Sequence, residues 1–145
     1  MDWKIFSGTW TSLPDLTKLQ PALTGTSLKL DAGAQDIKQR ATAWEGLLKV
    51  PADGGYTFHL IDRDGARLVI DGAEVAKTGP AFAPFNSTRP NALRYDREAI
   101  GLRAGLHTIR IEALDTKSTD APRLMWEGPG VKLEDVPETV YQRLK

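Results

Sequence analysis

The stretch that decides the fold is YTFHLIDRDGARLVIDGAEV, residues 56–75. Tyr56, Phe58 and Leu60 alternate with Thr57, His59 and Ile61, the period of a half-buried strand. Two Asp-Gly steps follow, Asp64-Gly65 and Asp71-Gly72, and Asp-Gly supplies the positive φ angles of tight turns. The pattern predicts a β-hairpin with arms Tyr56–Ile61 and Arg67–Ile70. It also gathers three carboxylates, Asp62, Asp64 and Asp71, at the turns, so the same segment is the first candidate for chemistry.

Outward from this landmark the chain keeps an all-β rhythm. Thirteen glycines and nine prolines break short apolar runs about every ten residues, as in a sandwich or barrel. Trp3–Phe6, Ser27–Leu30, Ala41–Val50, Ala99–Leu102, Leu106–Leu114 and Arg123–Trp126 read as further strands, with another short segment from Val75. Leu13–Leu19 reads as one helical turn started by Asp15 and stopped by Pro21. Residues 77–96 hold Pro80, Pro84 and Pro90, which forbid a regular ladder and predict a long surface loop. Val136, Val140 and Leu144 in the tail are spaced as one side of a short helix or as an extended strap. The whole, residues 1–145, is expected to be one all-β domain, an antiparallel β-sandwich or barrel, with its core at about 3–137 and the strap at 138–145.

Composition excludes several functions. With 19 basic and 19 acidic residues no basic face marks a nucleic-acid partner and no polybasic run marks a membrane surface. No cysteine is present, which removes disulfides and thiolate metal sites. The opening MDWKIFSGTW lacks the features of a signal peptide; a cytoplasmic protein and a domain of a longer exported chain both fit. No Ser-His-Asp context or Gly-rich phosphate loop is found. The turn carboxylates have no apolar surroundings evident in the sequence that would raise one pKa for acid catalysis. The expectation is a non-enzyme.

Five phrases in order, FSGTWTSLPDLTKLQP, AWEGLLKVPADGGYTFHL, DGARLVIDG, LRAGLHTIRIEAL and RLMWEGPG, resemble the PA14 domain over about Trp3–Pro137. PA14 is a β-sandwich module of bacterial toxins, yeast adhesins, glycosidases and secreted sulfatases. The resemblance runs closest to modules appended to exported bacterial polysaccharide-processing enzymes, and it favours the exported reading, extracellular or periplasmic.

In the glycan-binding branch of that family, two consecutive aspartates hold a calcium ion that bridges to sugar hydroxyls. Aligned on Asp64-Gly65-Ala66-Arg67-Leu68, the second aspartate corresponds to Asp64, and Arg63 stands at the first. A guanidinium cannot ligate a cation; Asp62, two residues away on the same face of an extended segment, is the compensating carboxylate. The resemblance thus implies a glycan-binding site at Asp62, Arg63 and Asp64, with calcium on Asp62 and Asp64 as one possibility and turn hydrogen bonding by Asp64 as the other. With an acidic glycan, Arg63 would contact the anion directly.

Phe85 and Asn86 of the proline-rich loop are the remaining glycan-binding candidates, since loops on rigid β scaffolds carry recognition residues. The alternative is that Phe82 and Phe85 pin the loop down. Trp44 and Trp126 are expected in the core, Trp10 against the first segment, and His59 and His107 as strand residues rather than ligands. The resulting expectation is a carbohydrate-binding module beside a catalytic domain of its parent chain. A spacer or docking domain that binds no sugar, and a calcium-dependent lectin, are the alternatives.

Overall fold

The computed structural model describes residues 1–10, 13–31, 39–62, 64–78, 94–115 and 121–144. Eleven strands fill them: β1 Asp2–Ser7, β2 Leu23–Thr26, β3 Arg40–Val50, β4 Gly54–Asp62, β5 Ala66–Ile70, β6 Ala73–Thr78, β7 Arg94–Leu102, β8 Gly105–Asp115, β9 Arg123–Gly128, β10 Val131–Asp135 and β11 Tyr141–Gln142. Two 3-10 turns, Leu16–Lys18 and Glu138–Val140, are the helical elements of the described residues. Asp15 caps the first turn by accepting a hydrogen bond from the Thr17 amide at 3.1 Å, as expected of that residue type.

The strands form two antiparallel sheets. The larger runs β2-β1-β3-β8-β5-β6, with β11 also on β3, and the smaller runs β10-β9-β4-β7. Between them lies a core of Trp44, Leu48, Tyr56, Phe58, Leu60, Leu68, Ile111 and Trp126, with their neighbours. Tyr56 stacks on Trp126 at 5.6 Å between ring centroids. Trp44 and Trp126 are buried as expected.

The hairpin reading of residues 56–70 is corrected by this topology. β4 pairs with β7 and β9, whereas β5 pairs with β6 and β8 in the other sheet. The chain between Asp62 and Ala66 is therefore a corner that carries it from one sheet to the other. Only the second Asp-Gly step makes a hairpin: Asp71 at φ 51° and Gly72 at φ 80° join β5 to β6, the two positive φ values of a type I′ turn. Alternation is blind to this difference, because either partner satisfies the same inward face.

Three boundaries also move. The edge strand near residue 27 is Leu23–Thr26, and Ser27–Leu30 lies beyond it. Lys77 and Asp96, expected in the long loop, belong to β6 and β7, and the Lys77 amide donates to Asp96 Oδ2 at 2.9 Å. The tail is the strap, with Tyr141 and Gln142 opposite Leu48 and Leu47. The weak alternation of β3 has a physical cause. Its first half is covered on both faces, inside by the main core and outside by a second cluster of Phe6, Leu16, Ala41, Ala43 and Leu114, against which Trp10 and Leu13 pack.

Candidate functional site

The sandwich has two unlike ends. At one, β3 to β4, β5 to β6, β7 to β8 and β9 to β10 are joined by links of two or three residues. At the other, β4 passes to β5, and the segments 79–93 and 116–122 join β6 to β7 and β8 to β9. The register brings the anchors of these connections together. Asp62 is opposite Arg94, Ala66 is opposite Thr78, Ile61 is opposite Arg123, and Arg40 is opposite Asp115. Both roots of the proline-rich segment thus stand beside the Asp62–Ala66 corner. Of the predicted site residues, Asp62 and Asp64 lie at this corner; Arg63, Phe85 and Asn86 lie outside the described residues.

Asp62 and Asp64 are 5% and 7% exposed, unlike ordinary turn aspartates. Asp62 Oδ2 accepts a hydrogen bond from the Gly65 amide at 2.8 Å, and the Gly65 carbonyl accepts from the Leu114 amide at 2.8 Å. Asp62 therefore holds the corner, which in turn is tied to β8. Gly65 adopts φ 145°, a conformation that side-chain-bearing residues rarely take.

Other polar residues gather at the same end. Thr42, Ala113, Ala66 and Thr78 make one row across β3, β8, β5 and β6, where the next row inward is Trp44, Ile111, Leu68 and Ala76. Small side chains thus replace the large ones of the core. Thr42 and Thr78 are buried, and their hydroxyls have no hydrogen-bond partner among the described residues. Arg40, two residues before Thr42 and on the same face, is buried as well. A buried unmatched hydroxyl costs free energy, so this row stands out from the apolar interior. Sequence reading missed Arg40, Thr42 and Thr78; the sole hint was the run of small residues Ala41-Thr42-Ala43.

The calcium expected from the family can be tested against these donors. Ca²⁺ takes six to eight oxygens. Among the described residues no group of three or more acidic or histidine side chains is arranged to hold a metal, and one oxygen of Asp62 is committed to the Gly65 amide. The described residues do not fit a calcium shell, and no binding step is derived through one.

At the tight-turn end Asp71 does more than shape its hairpin. Its Oδ1 accepts from the Thr108 amide at 3.1 Å, and its Oδ2 is 2.6 Å from His107 Nδ1. His107 Nε2 is 2.7 Å from the Arg103 carbonyl. Two acceptors on the two ring nitrogens favour the imidazolium, and the bond to Asp71, followed by that to Arg103, raises the His107 pKa. His59 is buried on the other face of β4, with Nε2 3.6 Å from Glu127. Both histidines are strand residues, as expected.

The sequence profile of the PA14 domain matches residues 14–139. The chain belongs to the PA14 domain family. Its fold is similar to that of a PA14 sugar-binding domain from an RTX adhesin, at 14% identity and TM-score 0.69, over 98% of this chain and 97% of that one. It is also similar to an anti-sigma factor domain-containing protein from Clostridium clariflavum, at 23% identity and TM-score 0.72, over 99% of this chain. A β-glucosidase from Kluyveromyces marxianus shares the fold over 88% of this chain and 16% of the enzyme, at 11% identity and TM-score 0.60. This PA14 domain spans about half the length of the anti-sigma factor domain-containing proteins, 47% and 46%. No curated protein matches it in sequence.

Proposed function

We propose that this PA14 domain is a non-catalytic carbohydrate-binding module of a longer, exported bacterial protein that processes polysaccharide, and that it binds glycan at the end of the sandwich holding Asp62 and Asp64. The observation that carries the reading is that the anchors of the long connections stand beside a buried polar corner. Arg94 and Thr78, the roots of the proline-rich segment, flank Asp62 and Ala66, and Arg40, Thr42 and Thr78 add buried polar groups to those of Asp62 and Asp64 at this end. Polyhydroxylated ligands need such convergent donors and acceptors. The similar sugar-binding domain of the RTX adhesin supports the same choice. In this reading Asp62 and Asp64 orient the corner, and Arg63, Phe85 and Asn86 make the glycan contacts.

Thermal shifts with a panel of neutral and acidic glycans test it, since a ligand bound only by the native state raises the melting temperature. Stabilisation that disappears on Arg63→Ala is the expected result; a panel without any shift overturns the reading. A spacer or docking role is the second reading. It is favoured by a cavity of about 230 Å³ on the outer face of the larger sheet, bordered by Val69, Arg110 and Leu144. That role predicts no glycan shift and a stabilising contact with a neighbouring domain of the parent chain.

A further inference from the structure

A second concave site lies at the seam between the sheets, where residues from both meet around a cavity of about 320 Å³. Lys29 and Leu30, beyond β2, and Tyr141 of β11 line it from the larger sheet; Arg123 of β9 and Asp135 and Val136 at the end of β10 line it from the smaller. The volume is at the lower end of small-molecule sites, roughly 300–1,000 Å³, and suits one sugar ring.

The groups in it are complementary. Arg123 Nε donates to Asp135 Oδ1 at 2.7 Å and Nη2 to Oδ2 at 3.1 Å, a two-point pair that fixes both planes. The Arg123 bond holds the Asp135 carboxyl below its usual range, so it stays an ionised acceptor with lone pairs to spare. Burial, then the charge of Asp135, pushes the Tyr141 phenol up, so its hydroxyl remains a donor. Lys29 and Arg123 against Asp135 leave the lining with one surplus positive charge. Leu30 and Val136 supply an apolar wall.

We infer that this seam cavity binds a carboxylate-bearing sugar ring, a hexuronate. The Lys29 ammonium receives the carboxylate, Asp135 and the Tyr141 hydroxyl meet ring hydroxyls, and Leu30 and Val136 lie against the ring's C–H face. The cavity lining does not include Asp62 or Asp64, but Arg123 stands opposite Ile61 beside that corner, so Lys29 and Tyr141 are the residues that tell the two sites apart.

Amide-shift titrations of the whole chain with galacturonate and with galactose test the inference. Galacturonate is expected to bind more tightly, with shifts at Lys29, Arg123, Asp135 and Tyr141. Lys29→Met should weaken galacturonate by roughly three- to tenfold and remove the preference, and Tyr141→Phe should weaken both sugars by roughly the same factor. Lys29 is exposed and the phenylalanine keeps the ring, so the thermal melts of both variants should match the parent's. Equal affinity for the two sugars, parental affinity in both variants, or no binding overturns the inference. Shifts near Asp62 with none at Lys29 or Tyr141 also overturn it while leaving the corner reading intact; shifts centred on Lys29 and Tyr141, with none at Asp62 or Asp64, uphold it and remove support from the corner.

Discussion

Asp62 is the residue on which the corner depends. Its carboxylate satisfies the buried Gly65 amide, and an unmatched buried donor costs about 1–3 kcal/mol. Asp62→Ala is expected to lower stability by about that much in urea unfolding, and Asp62→Asn, which keeps an acceptor oxygen, by less. His107 sets a pH dependence of the opposite kind from that of a paired carboxylate. Its folded pKa is raised above 6.5, so its contribution is fully present below that value and is lost as pH rises through the folded pKa. The stability gap between the parent and His107→Gln is therefore expected to shrink from about pH 5 to about pH 9. A gap that stays constant would show that the Asp71–His107–Arg103 contacts do not select the imidazolium.

Among the elements, the strap β11 is held where β3 leaves room for it. A Cβ added at Gly46 would stand 2.5 Å from the Gln142 carbonyl oxygen, a backbone atom that cannot swing aside. Gly46→Ala is expected to detach the strap, at a cost of about 1–3 kcal/mol. Faster hydrogen exchange at the Tyr141 and Gln142 amides, with exchange in β4 and β9 rising only as much as overall stability falls, is the confirming pattern. The elements also show how far a strand can be read from its own residues. Tyr56, Phe58 and Leu60 are inward as their alternation required, and Asp15 caps its turn, because both depend on neighbours close in sequence. β3 resisted a clean reading because Phe6 and Leu16, far away in the chain, cover its outer face. Asp62 and Asp64 were legible as candidates but not as buried groups, since burial is set by how the strands assemble and not by the local phrase.

At the scale of the whole molecule, the two ends differ: short links join the strands at one, and at the other the anchors of the long connections stand beside buried polar residues. Because the described donors do not make a calcium shell, the melting temperature is expected to be the same in EDTA and in millimolar calcium. A calcium-dependent rise would move the lectin reading to the front. The sequence by itself determined the family, the all-β class, the strand faces and the turn at Asp71-Gly72, all of which follow from local periodicity, backbone sterics and the order of short phrases. Only the tertiary structure decided that Asp64-Gly65 is a corner between sheets, that Thr42 and Thr78 share a row, and that both roots of the proline-rich segment stand beside Asp62. The reason is that a strand's inward face specifies burial but not a partner, and the choice among partners rests on packing between residues distant in the chain.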